Sequence, residues 1–109
     1  MHKNIVCKKH REDERMRVFI VVHGFVQGVG YRSLVKEKAV KRGIRGMVRN
    51  NREGSVEILA EGDPEALKAF EEEINVDLPG GPQVLHIEKR NAEDYISADL
   101  EGFAIWHTV

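Results

Sequence analysis

The pattern of hydrophobic and polar positions divides the first half of the chain into a strand and a helix. Residues 16–23, MRVFIVVH, are apolar on both faces, which is typical of a central strand buried on two sides. From Tyr31 the period becomes helical, and apolar residues recur on one side at Tyr31, Leu34, Val35 and Ala39. Gly43 is placed to end this helix in a left-handed conformation.

Residues 46–62 predict a β-hairpin followed by a second helix. A short strand over 47–50 leads into turn residues 51–54, and the strand over 55–61 then alternates between apolar and acidic positions. Asp63 and Pro64 predict the start of the helix, as its N-cap and first helical residue. The apolar stripe of this helix consists of Leu67, Phe70 and Ile74.

The remainder of the chain predicts two more strands. Residues 78–82, LPGGP, interrupt regular structure, and strands follow over 84–89 and 102–107. In the last strand, Phe103 and Trp106 are expected to lie in the core. The order β-α-β-β-α-β-β, with a short or edge strand at the end, predicts an α+β fold. This is the ferredoxin-like βαββαβ sandwich, an antiparallel sheet with two helices on one face.

Composition and charge limit the class of protein. The 109 residues suffice for one compact domain, and 17 basic against 18 acidic residues give a net charge of -1, which argues against a general nucleic-acid-binding surface. The single cysteine, Cys7, excludes an intrachain disulfide and zinc-site spacing. Without an apolar run of about 20 residues or a secretory signal, a cytoplasmic protein with no membrane partner is expected. Small size and one modest core suggest a monomer.

The domain organisation follows from the polar N-terminus. Residues 1–15, MHKNIVCKKHREDER, read as a polar tail, and residues 16–109 as the folded domain. Met16 is an alternative start that the sequence leaves open, and the role of the tail is open as well.

Candidate chemistry is concentrated in HGFVQGVGYR, residues 23–32, between the first strand and the first helix. Glycines allow successive N–H groups to turn inward around an anion, and a helix N-terminus carries partial positive charge. Arg32 adds a planar, permanently charged group that can hold two phosphate oxygens. A tight strand–helix turn would also explain the glycines, but glycines followed by an arginine at a helix start favour phosphate binding. The nucleotide-binding pattern GxxxxGK[ST] is missing.

The same residues resemble the signature of the acylphosphatase family. That signature, G-x-V-Q-G-V-x-[FY]-R, is matched throughout from Gly24 to Arg32. A second signature, G-x-V-x-N followed by a turn and G-x-V-E, is similar to GMVRN at residues 46–50 and GSVE at residues 54–57. The resemblance covers about residues 16–109. It departs only slightly, with Met47 where the family often has Trp and Tyr31 where Phe is commoner, and the Tyr31 hydroxyl is expected to reach solvent.

The resemblance implies hydrolysis of the carboxyl–phosphate bond of acyl phosphates, without a metal or cofactor. It implies that Arg32 binds the phosphate and that Asn50 orients the attacking water. The backbone N–H groups of the loop would hold the phosphate, and they belong to Gln27, Gly28, Val29, Gly30 and Tyr31. The small-molecule partners would be an acyl phosphate as substrate and inorganic phosphate as product and inhibitor.

Other interpretations remain open at this stage. Asn51 is adjacent to Asn50 and of the same type, although strand alternation would point the two side chains to opposite faces. Arg32 could be an ordinary surface arginine, and His23 is a candidate for supporting the site. A ferredoxin-like module that binds RNA, phosphate or a small ligand without catalysis is the alternative function. A third possibility is an acylphosphatase-like domain serving another activity, as in the hydrogenase-maturing carbamoyltransferase, although a chain ending at Val109 without zinc-finger cysteines favours the standalone enzyme.

Overall fold

The computed structural model describes residues 15–92 and 100–108, and within them the helices and strands follow the predicted order. Their bounds are β1 Met16–Phe25, α1 Tyr31–Lys41, β2 Arg45–Asn50, β3 Val56–Gly62, α2 Pro64–Glu73, β4 Gln83–Asn91 and β5 Phe103–Ile105. Apart from Arg15, the predicted polar tail lies outside the described residues, and so does Cys7.

The strands in the described part of the chain form one five-stranded sheet in the order β4-β1-β3-β2-β5. β1 pairs antiparallel with β3 and β4, and β2 pairs antiparallel with β3. The sheet is not antiparallel throughout, because β5 runs parallel to β2, with Gly46 opposite Phe103. Because β3 occupies one edge of β2, the other edge is left for β5. Just after β5, the N–H of Trp106 donates to the carbonyl of Val48 in β2 at 2.8 Å.

Both helices pack on one face of the sheet, as predicted. The core on this face contains the strand residues Ile20, Val22, Val48, Val56 and Ile58. The helices contribute Tyr31, Val35, Ala39, Leu67 and Phe70. A smaller cluster on the opposite face contains Phe19, Val21, Met47, Leu59, Ala92 and Leu100. Burial on both faces confirms the prediction for β1, and each fully buried aliphatic or aromatic side chain contributes about 1.5–3 kcal/mol to folding.

The ends of the helices agree with the sequence pattern in part. Gly43 follows α1 with φ of 69°, the left-handed conformation expected there. Asp63 occupies the N-cap position of α2 with Pro64 in the first turn, but the Asp63 side chain makes no capping hydrogen bond. The prediction that Trp106 lies in the core is wrong, because its side chain is 44% exposed. Trp106 directly follows β5, the edge strand of the described sheet, so its side chain is less covered than those of the central strands.

Candidate functional site

The loop between β1 and α1 is shaped by two glycines in the left-handed conformation. Gly28 and Gly30 adopt φ of 78° and 82°, in the left-handed region that favours glycine. A Cβ added at either position would meet nothing within 4 Å, so these glycines supply backbone conformation rather than space. Gly24 differs, since it lies within β1 and a Cβ there would approach the carbonyl oxygen of Gln83 to 2.3 Å. Gly24 therefore serves the pairing of β1 with β4 rather than the loop itself.

The helix that follows the loop begins without a side-chain cap. Gly30 is its N-cap residue, no side chain bonds to the helix start, and no acidic residue lies in the first turn. The first N–H groups of an α-helix lack partners inside the helix and carry its positive dipole end. This helix start is therefore free of competing negative charge and suits an anion such as a phosphoryl group.

Arg32 lies half-buried as the second residue of α1. It makes no hydrogen bond or ion pair with any residue that the structure describes. Several other arginines are paired, for example Arg42 with Glu73 at 2.7 Å and Arg49 with Glu57 at 2.9 Å. An unpaired guanidinium beside an uncapped helix start leaves its donors available for an anionic ligand.

Asn50 is the last residue of β2 and lies directly before the turn of the hairpin. Val48, two residues earlier, belongs to the core under the helices, so alternation directs the Asn50 side chain to the same face. The Oδ1 atom of Asn50 is buried and has no hydrogen-bond partner among the described residues. A buried acceptor without a partner is uncommon and marks a position where a ligand or a water molecule would be stabilised.

Asn51 has a different environment, in agreement with the predicted alternation. Its Nδ2 donates to Oε2 of Glu57 at 2.8 Å, and its Oδ1 accepts from the N–H of Glu53 at 2.8 Å. The bond to Glu57 lies on the face of the sheet opposite the helices, and the bond to Glu53 stabilises the turn itself. The Asn51 side chain is therefore occupied by the turn, whereas the Asn50 side-chain oxygen is not.

The loop is joined to this turn by the side chain of Gln27. Its Nε2 donates to the carbonyl oxygens of Asn51, at 2.7 Å, and Ser55, at 2.8 Å. The family signature implies a role only for the backbone of Gln27. No sequence pattern indicates this side-chain contact, which joins residues 24 and 28 positions apart. The contact holds the glycine loop against the turn that begins directly after Asn50, so Asn50 is one residue away from the point of contact.

Tyr31 corrects another expectation. Its side chain is 1% exposed, and its hydroxyl donates to the carbonyl oxygen of Ile74 at 2.8 Å. Burial raises the pKa of the Tyr31 hydroxyl above its usual value. The hydroxyl does not reach solvent, because Tyr31 is the first residue of α1 on the core side and meets the end of α2. Tyr31 thus anchors the end of the loop to the core.

We expect Tyr31→Phe to destabilise the protein by about 1–2 kcal/mol, because the buried carbonyl of Ile74 would lose its donor. For a domain of this size each kcal/mol lowers the melting temperature by roughly 4–8 °C. Thermal and urea unfolding of the two proteins would measure the difference. An unchanged melting temperature would contradict a stabilising role for this hydrogen bond.

None of the histidines within the described residues has a side-chain contact with the loop. The ring of His23 stacks on that of His86 with centroids 5.6 Å apart, and its Nε2 lies 3.6 Å from Oε1 of Glu88. Val22, the residue before His23, belongs to the core under the helices, so alternation places His23 on the opposite face of the sheet, away from α1. These contacts of His23 do not support the hypothesis that it contributes to the site. His86 and His107 are exposed.

The described residues supply neither a metal-ligand cluster nor a membrane-spanning helix. No three His, Cys, Asp or Glu side chains within residues 15–92 and 100–108 lie in an arrangement suited to a metal ion. Among the helices that the structure describes, none combines the length and the apolar character needed to cross a bilayer.

The fold and the loop together define an α+β protein with a glycine-rich turn between its first strand and first helix. Comparison with known proteins identifies the family. The acylphosphatase family model matches residues 18–105, and the chain belongs to the acylphosphatase family.

Individual relatives agree with this assignment. The acylphosphatase of Geobacillus kaustophilus is 40% identical over 92 residues, which cover 84% of this chain and 94% of the relative. The crystal structure of acylphosphatase from Bacillus subtilis matches with a TM-score of 0.66 and 40% identity, covering 83% of this chain and 97% of that one. Full-length HypF, crystallised in a phosphate- and nucleotide-bound form, matches with a TM-score of 0.72 and 29% identity, over 86% of this chain and 12% of the HypF chain.

Proposed function

We propose that the protein is an acylphosphatase that hydrolyses the carboxyl–phosphate bond of acyl phosphates to a carboxylate and inorganic phosphate. The observation that carries the proposal is the buried, unpartnered Oδ1 of Asn50 beside a glycine loop that is followed by an unpaired arginine. A phosphate-binding loop alone explains the binding of a phosphoryl group but not its hydrolysis. A free side-chain amide next to it explains hydrolysis, because an amide can hold a water molecule by donating or accepting.

In the proposed mechanism the phosphoryl group lies against the N–H groups of residues 27–31 and the guanidinium of Arg32. These donors stabilise the negative charge on the phosphoryl oxygens as the transition state forms. Asn50 orients the water for in-line attack, and positioning supplies much of the rate enhancement. The new bond joins the water oxygen to phosphorus, and the bond to the acyl oxygen breaks with its electron pair on the carboxylate. A proton of the water passes to the substrate.

The leaving group of the substrate explains why the site needs few catalytic groups. A carboxylate is a stable leaving group, so little acid catalysis is needed at the acyl oxygen. We therefore propose that the reaction requires neither a metal ion nor a cofactor. We further propose that the protein acts as a cytoplasmic monomer without a nucleic-acid or membrane partner. The near-balanced charge, with a net of -1, supports the absence of a nucleic-acid partner.

The assay that tests the proposal uses benzoyl phosphate in a chelator-containing buffer, with hydrolysis followed by the release of inorganic phosphate. We expect turnover without added metal and competitive inhibition by inorganic phosphate. A protein that binds phosphate but does not hydrolyse the substrate would favour the non-catalytic binding module instead. Loss of turnover on chelation would contradict the metal-free mechanism.

A further inference from the structure

The side chain of Gln27 closes a hydrogen-bond network around the turn that follows Asn50. The turn has two bonds of its own, from the N–H of Asn51 to the carbonyl of Ser55 at 2.8 Å and from the N–H of Gly54 to the carbonyl of Asn51 at 2.9 Å. The Gln27 amide donates to the same two carbonyl oxygens, at 2.7 and 2.8 Å. Each oxygen accepts two bonds, which fills both of its lone pairs.

The chemistry of this contact specifies a glutamine. A primary amide nitrogen carries two N–H donors, and here each has its own carbonyl acceptor. The reverse orientation would place the amide oxygen of Gln27 against two carbonyl oxygens, so the NH₂ group has to face the turn. A glutamate of the same length would present a negative oxygen to both carbonyls, and a methionine would present no donor.

The loop and the turn are held to the fold in different ways. Val26, just before Gln27, is 1% exposed, and Tyr31, at the other end of the loop, is anchored by its hydroxyl to Ile74. The loop therefore has two attachments to the core that do not involve the Gln27 side chain. The turn at residues 51–54 consists of half-exposed and exposed residues and is attached to the loop by Gln27.

We propose that Gln27 is a positioning residue that fixes Asn50, and hence the attacking water, relative to the bound phosphoryl group. This inference rests on the proposed function. Gln27 acts through the backbone of the turn and need not contact the substrate with its side chain. Its removal would let the end of β2 move relative to a loop that keeps its own shape.

Two kinetic quantities separate this role from general support of the fold. The inhibition constant of inorganic phosphate measures how strongly the loop and Arg32 bind phosphate. In contrast, kcat also depends on the orientation of the water. A displacement of about 1 Å of a reacting group costs on the order of 10²-fold in rate. We therefore expect Gln27→Met to lower kcat by about 10- to 100-fold. The phosphate inhibition constant should change much less than kcat, because the backbone cradle remains.

Gln27→Glu and Gln83→Met complete the experiment. Gln27→Glu keeps the size of the side chain and should lose more kcat at neutral pH than Gln27→Met, because its carboxylate faces two carbonyl oxygens. Gln83→Met is the matched control at the first residue of β4, a strand that β1 separates from the β2–β3 hairpin, and should keep the kcat of the wild type. All variants are compared by melting temperature and by kcat and phosphate inhibition on benzoyl phosphate.

The outcomes separate this inference from the proposed function. An inactive wild-type protein would refute the proposed function itself. With an active wild type, a selective loss of kcat in the Gln27 variants supports the positioning role. Wild-type kcat in Gln27→Met, or a loss of kcat matched by an equal loss of phosphate binding, would overturn it.

Discussion

Arg32→Ala is expected to lower kcat/KM for benzoyl phosphate by about 10³-fold, in the range found when an arginine that stabilises a phosphoryl transition state is removed. The guanidinium is the charged side chain placed at the uncapped start of α1, next to the glycine loop. Because Arg32 has no hydrogen bond or ion pair within the described residues, its removal should leave the free energy of unfolding unchanged within about 0.5 kcal/mol. Phosphate inhibition should weaken strongly in the same variant.

Two further substitutions sharpen this test. Arg32→Lys keeps the charge but replaces a planar, two-pronged donor with a point charge, so only part of the activity should return. Arg45→Ala removes an exposed arginine at the opposite end of β2 from Asn50 and should retain the kcat/KM of the wild type. Turnover of Arg32→Ala within tenfold of the wild type would show that the loop amides alone bind the phosphoryl group.

The parts of the structure that the sequence predicts correctly depend on local patterns. The helical spacing from Tyr31, the turn after Asn50 and the glycine at position 43 each reflect neighbours a few residues apart, and all three agree with the structure. The two signature motifs placed Arg32 at a helix start and Asn50 at a strand end in the same way. Strand periodicity also predicts that the side chains of Asn50 and Asn51 lie on opposite faces of the sheet, because successive strand residues face opposite sides.

The parts that the sequence missed depend on contacts between distant positions. The Tyr31 hydroxyl was expected in solvent, but its partner Ile74 lies 43 positions away. No local pattern predicts the Gln27 contact, since it requires knowing which turn packs against the loop. The parallel direction of β5 and the exposure of Trp106 likewise follow from which sheet edge remains free, a property of the assembled sheet.

Asn50→Ala is expected to lower kcat by about 10²-fold or more, comparable to the loss of a positioned donor in other active sites. The substitution removes the amide that orients the water and leaves the loop and Arg32 in place, so the inhibition constant of phosphate should change little. Stability should not fall by much, since the Oδ1 of Asn50 has no partner to lose in the part of the chain that the structure describes. Steady-state kinetics, phosphate inhibition and thermal unfolding of the variant measure these three effects.

Asn51→Ala is the matched control, with the opposite expected pattern. It removes the bonds to Glu57 and to the N–H of Glu53 and should cost about 1 kcal/mol of stability. The carbonyl of Asn51, which Gln27 contacts, remains, so kcat should stay within a few-fold of the wild type. An active Asn50→Ala together with an inactive but folded Asn51→Ala would transfer the water-orienting role to Asn51. In that case the attacking water would have to approach from the outer face of the sheet, where the Asn51 side chain lies. The phosphate loop beside α1 would then lie on the opposite face of the sheet, which does not suit in-line attack.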